Sequence, residues 1–102
     1  MSAHLERDID QWVVAACRKR GWLCRKLSTV GFRGTSGDPD RQIVLPGGRH
    51  YYLEIKTLTG RLTKKQEHRI TQLAVLGCHI TVVYGMADAQ AYIRELDDEL
   101  TG

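Results

Sequence analysis

Two carboxylates and an amine, Asp40, Glu54 and Lys56, are the residues of this sequence whose types and spacing can do chemistry together. They belong to two runs of alternating side chains, Arg41 to Leu45 and Arg49 to Lys56, that flank Pro46-Gly47-Gly48. Pro46 pre-sets a turn and Gly48 can take the positive φ that closes it. The pattern predicts a β-hairpin in which Val44 faces His50, Gln42 faces Tyr52 and Asp40 faces Glu54. Directly opposed residues have Cβ atoms about 4.5–5.5 Å apart, and two like charges at that distance repel unless a cation lies between them. Hard oxygen ligands so placed suit Mg2+ or Mn2+. Lys56 lies two residues beyond Glu54 on the same face, so its ammonium can reach a water or a phosphate oxygen beside the ion. Such a set suits the hydrolysis of a phosphodiester.

The elements that must position these groups follow from the rest of the pattern. Period two puts Asp40, Gln42, Tyr52, Glu54 and Lys56 on one face of the hairpin and Ile43, Leu45, Tyr51, Leu53 and Ile55 on the other, which is the core face. Leu5, Ile9, Trp12, Val13 and Ala16 recur at helical spacing and predict an amphipathic helix from about Ser2 to Arg20, stopped by Gly21. Glu6 falls at the border of its apolar stripe. Periodicity alone lets Glu6 face the site or serve as an exposed first-turn carboxylate favoured by the helix dipole; Asp10 is further from the stripe and the weaker candidate. Trp22 to Leu27 reads as a first strand. Ser28 to Asp38 is rich in Gly, Ser and Thr and reads as a loop, either a substrate-contacting one in which Arg33, Thr35 and Ser36 meet phosphates or an ordinary connection. Its glycines are not followed by Lys-Ser/Thr, which argues against a P-loop.

Beyond the hairpin, Thr63 with Gln66 three residues on forms a capping box that opens a helix from Lys64 to about Leu76, ended by Gly77. Gln66 shares a face with Ile70, Leu73 and Ala74, so its amide can cap the helix or point to the sheet. Lys64 and Lys65 occupy the first turn against the dipole preference, which suits an external anion. Cys78 to Tyr84 is a β-rich run expected parallel to its neighbour because a helix precedes it, with His79 at an edge. Ala89, Tyr92, Ile93, Leu96 and Leu100 trace a last amphipathic helix from about Ala87 to Leu100.

At these residues the chain resembles a family. Pro39-Asp40 with Glu54-Ile55-Lys56 resembles the PD-(D/E)xK nuclease signature, and Gly37-x-Pro39-Asp40, the Pro-Gly-Gly hairpin, Glu54-x-Lys56 and Gly60-x-Leu62-Thr63-x-x-Gln66 resemble its VRR-NUC branch, in particular small stand-alone members of phage and bacterial origin. The resemblance implies an α/β fold with a restriction-endonuclease-like core, a central mixed β-sheet flanked by helices in the order αβββαβ plus a C-terminal helix. It implies a divalent-metal-dependent, structure-selective DNA endonuclease with Mg2+ or Mn2+ on Asp40, Glu54 and the Ile55 carbonyl. Lys56 would act as base or charge stabiliser, Glu6 would complete the site, and Gln66 would belong to its neighbourhood. Arg33, Ser36, Lys64 and Lys65 would contact nucleic acid. Branched DNA such as a Holliday junction is the expected substrate, and a homodimer the expected assembly, with Tyr92, Ile93, Leu96 or Trp12 on its pairing surface. A sequence-specific restriction-type enzyme has little chain left to read bases, and a non-catalytic DNA-binding protein would have no use for an unneutralised carboxylate pair.

The whole chain is consistent with these expectations. Its 102 residues suit one domain, and a formal net charge of +3 permits a polyanionic partner. Lys and Arg gather at 18–20, 25–26, 61 and 64–65, while acids dominate 95–99; each basic cluster taken singly is more often a solvated face. Three scattered cysteines support neither a disulfide framework nor a metal site, and buried reduced thiols are expected. No His spacing suits zinc. With no membrane-length apolar run and no signal-like start, the expected location is the cytoplasm of a bacterial or phage-infected cell.

Overall fold

A computed structural model describes residues 4–27 and 37–102. The elements follow in the order α1 (Glu6–Arg20), β1 (Leu23–Lys26), β2 (Arg41–Leu45), β3 (Arg49–Lys56), α2 (Lys64–Val75), β4 (His79–Tyr84) and α3 (Met86–Thr101). This is the αβββαβ arrangement with a closing helix. The sheet has the order β1-β2-β3-β4, with the first two pairings antiparallel and β3–β4 parallel.

The hairpin has the expected register: Gln42 faces Tyr52, Val44 faces His50 and Leu45 faces Arg49. Gly48 N–H donates to Leu45 C=O at 3.1 Å, and both Gly47 and Gly48, rather than Gly48 alone, have positive φ. The paired ladder ends at Arg41–Leu53, so Asp40 lies just outside the strand.

Alternation along β3 sends Tyr51, Leu53 and Ile55 to one face, where they join Ile43, Leu45 and Val83 in a core completed by Ile9, Val13, Ala16 and Cys17 of α1 and Ala89, Tyr92, Ile93 and Leu96 of α3. Tyr92, Ile93 and Leu96 are thereby buried inside the chain, at 6%, 1% and 2% exposure, and Trp12 packs half-buried against the same core. Tyr92, Ile93 and Leu96 are therefore not a surface for pairing two copies. Among the described residues the opposite face is covered by α2, and no residue of α2 is fully buried.

Several boundaries differ from the sequence pattern. Helix α1 begins at Glu6, because Leu5 is extended and exposed and its N–H is taken by the Asp8 carboxylate at 3.3 Å. Helix α3 runs one residue further at each end than the apolar stripe required. At the end of α2, Gly77 takes φ +90° while its N–H bonds Ala74 C=O and the Cys78 N–H bonds Leu73 C=O, the αL ending expected for a glycine there. Cys17 is buried, Cys24 and Cys78 are half-buried, and all three are free thiols. Among the described residues no helix is long and apolar enough to cross a membrane.

Candidate active site at one end of the sheet

Because β1 and β3 run the same way and β2 opposes them, Lys26, Asp40, Glu54, Lys56 and the β4 terminus Tyr84 come to a single end of the sheet. All three helices begin at that end. Glu6 of α1 lines a cavity with Asp40 and Ile55, Gln66 of α2 bonds Glu54, and α3 starts directly after Tyr84. The C-terminal ends of parallel strands and the positive ends of helix dipoles are where open α/β sheets take anionic ligands.

The segment carrying Asp40 is clamped from both sides. Gly37 has φ +92° and lies so close to α2 that a Cβ would stand 2.6 Å from the Lys65 carbonyl oxygen, so only glycine fits. Asp38 pairs with Arg69 of α2, Pro39 is buried, and Asp40 C=O accepts from Leu27 N–H at 3.1 Å. Asp40 is therefore held with its Oδ2 accepting the Ile55 N–H at 2.7 Å, a cross-strand contact made by the side chain where the ladder has stopped.

Glu54 is 1% exposed and Lys56 8%, and buried charges of this kind need partners. Glu54 Oε2 accepts from Gln66 Nε2 at 3.1 Å and lies 3.7 Å from Lys56 Nζ. Burial above all, and then the neighbouring Asp40 carboxylate, pushes Glu54 up to about 7 against the opposing pull of Lys56. Gln66 fills both roles that its sequence position allowed. Its Oε1 accepts the Thr63 N–H at 2.9 Å and its own N–H bonds Thr63 Oγ1 at 3.1 Å, while its Nε2 reaches the sheet.

On the other side of Asp40 lies a cavity of about 300 Å³ lined by Glu6, Arg7, Asp10, Lys26, Asp40, Arg41 and Ile55. Asp10 does not face the site as a free carboxylate, since Arg41 holds it through two bonds of 2.8 and 2.7 Å. Glu6 is exposed at the rim, and among the described residues no three carboxylate, thiol or imidazole side chains converge on one point. Lys64 and Lys65 are exposed on the first turn of α2. Arg33, Thr35 and Ser36 fall outside the described residues.

Of the cavity wall, the sequence pattern offers no signal for Arg7 and marks Lys26 only as part of a basic cluster. Lys26 could have been found, since the antiparallel pairing of β1 with β2 places it opposite Arg41. The Asp38–Arg69 and Asp10–Arg41 pairs, each 31 residues apart, had no local signal.

The oxygen-only donor set fits a hard divalent cation. The bonds described above use Oδ2 of Asp40 and Oε2 of Glu54, and the second oxygen of each carboxylate, with the Ile55 carbonyl, is what a cation would take. A carboxyl group driven to about 7 by burial and a like charge is one whose ionised form a cation would restore.

No family model matches the sequence, and a search of curated proteins finds no similar one. Among solved structures, one described as a "VRR_NUC domain" is similar with a TM-score of 0.77 and 24% sequence identity over 87% of this chain and 94% of that one. The similarity covers most of both chains, and so the chain has the fold of a VRR_NUC domain.

Proposed function

We propose that this protein is a divalent-metal-dependent endonuclease that hydrolyses phosphodiester bonds in branched DNA. The observation that carries the reading is the buried Glu54–Lys56 pair with Asp40 beside it, at the end of the sheet where three helices begin. A structural ion pair would have little reason to keep a second carboxylate within reach of the first.

Asp40, Glu54 and the Ile55 carbonyl would hold Mg2+ or Mn2+, which when bound polarises a phosphate and acidifies a water. The residues of the chain do the rest. Gln66 fixes the Glu54 carboxylate, and the Ile55 N–H fixes Asp40. Lys56, buried beside Glu54, would stabilise the developing charge or orient the attacking water. Glu6, at the cavity rim, is positioned to hold a water or a second cation, and Arg7 and Lys26 on the same wall would bind the flanking phosphates. Lys64 and Lys65, with Arg33 and Ser36, would extend that contact along the backbone. A four-way junction has two strands to cut, so the reading includes a homodimer with two sites, acting in the cytoplasm of a bacterial or phage-infected cell.

Cleavage of fluorescent four-way, flap and linear duplex DNA, with and without Mg2+ or Mn2+, tests the reading. Metal-dependent cutting that favours the branched substrates is expected. Tight binding with no cutting under either metal would instead identify a DNA-binding protein of nuclease fold.

A further inference from the structure

Beside the proposed nuclease site, toward the β4 edge of the sheet, lies a second cavity of about 430 Å³ lined by His4, Leu58, Tyr84, Gly85, Met86 and Gln90, together with Ala87. Its size falls in the ordinary range for small-ligand pockets, about 300–1,000 Å³. Its walls are apolar, with the amide of Gln90 and the ring of His4 as polar edges. Tyr84 is 37% exposed and Leu58 73% exposed, so both side chains are open to solvent.

Tyr84 is tied to the chemistry by the sheet itself. It pairs in parallel register with Lys56, so the two side chains leave the sheet on the same side, one strand apart, which is about 4.8 Å. The Gly85 N–H donates to the Lys56 carbonyl at 2.9 Å, and Asp88 accepts the Tyr84 N–H at 2.8 Å, so the backbone on both sides of the ring is fixed. Gly85 in turn packs on Leu58, with the nearest side-chain carbon 3.4 Å from where a Cβ would be. An exposed aromatic ring on a fixed backbone one strand from Lys56, with an exposed leucine beside it, has the form of a stacking platform with an apolar wedge, as used on unpaired bases.

We propose that this cavity is a base subsite. An unpaired nucleobase next to the scissile phosphate stacks on Tyr84, is wedged by Leu58, and meets Gln90 and His4 at its polar edge. The proposal rests on the nuclease reading above for the identity of the substrate. It also gives that reading a physical source for structure selectivity, since a base is free to enter only where a branch or an end has unpaired it.

The test is binding of flap DNA carrying 2-aminopurine at successive positions around the branch, in EDTA so that nothing is cut. Wild type and Tyr84→Phe should quench the probe strongly at one or two unpaired positions. Tyr84→Ala should lose the quenching and bind about tenfold more weakly, since stacking of one base is worth about 1–3 kcal/mol by alanine substitution. An abasic nucleotide at the quenched position should weaken wild-type binding by a similar factor and leave nothing further for Tyr84→Ala to remove, a result that needs only the wild-type protein for its first half. Unquenched probe at every position of the wild-type complex, or wild-type affinity for the abasic flap, would overturn the subsite. If metal then still supported cutting, the nuclease reading would stand without it; quenching without metal-dependent cutting would leave the subsite and remove the nuclease.

Discussion

The two faces of the sheet are built to opposite specifications. On the face under α1 and α3, the side chains of Ile43, Leu53, Ile55 and Val83 are dry and apolar, and they meet Ile9, Val13, Ile93 and Leu96. On the face under α2, the buried residues are Glu54 and Lys56, and the helix above them has no fully buried residue and contributes the amide of Gln66. One face holds the chain together and the other keeps charged groups out of water at a cost. The contrast teaches that stability and chemistry are separated across a single strand: in β3, successive residues serve alternate purposes.

The contrast can be broken most sharply on the polar face. Lys56→Ala or Glu54→Gln should slow metal-dependent cleavage by about 10²–10⁴-fold, the usual worth of a positioned proton-transfer or charge-stabilising group, while circular dichroism shows an unchanged fold. Wild-type turnover by either variant would remove the site assignment. Next in size is the apolar face. Leu53→Ala, at a side chain with no exposure, should cost about 2–5 kcal/mol in urea unfolding. Leu73→Ala, at a half-buried position of α2, should cost about 1 kcal/mol. Equal losses would mean that α2 is as much a part of the core as α1 and α3.

A further effect concerns the metal-free protein and pH. Glu54 is raised from 4.5 to about 7 in the folded chain, so the folded state binds the proton more tightly than the unfolded state. Stability is therefore fully present below about 4.5 and is lost as pH rises through about 7. Glu54→Gln keeps the shape without the charge, and in EDTA it should be more stable than wild type at pH 8 by about 1–3 kcal/mol, with the difference shrinking toward pH 5. A wild-type protein whose EDTA melting temperature does not fall between pH 5 and 8 relative to Glu54→Gln would show that the carboxylate is not held at this cost. Millimolar Mn2+ should close the gap by binding only the folded carboxylate pair.

Much of this arrangement was legible in the chain. The hairpin register came from alternation and from the three residues of its turn, and the α2 start came from Thr63 and Gln66, because all of these depend on neighbours within a few residues. The parallel placement of β4 followed from the helix before it. The pairing surface expected on Tyr92, Ile93 and Leu96 did not survive, for a physical reason: an amphipathic stripe shows that something must cover it but not whether that cover is the same chain or another copy. Here α1 and the sheet cover it. The start of α1 was misplaced because Leu5 has the helical spacing but is exposed, its amide spent on Asp8.

The sequence by itself determined which residue types could do the chemistry and on which side of β3 they would lie, since period-two alternation and turn geometry are local properties of the backbone. Only the tertiary structure decided what surrounds them: that Arg41 neutralises Asp10, that Arg69 and the Gly37 approach to α2 hold the Asp40 segment, that Gln66 spans helix and carboxylate at once, and that Tyr84 stands one strand from Lys56. Those contacts join residues far apart in the chain, and their energies depend on burial and distance, which exist only once the sheet has brought its four strand ends together.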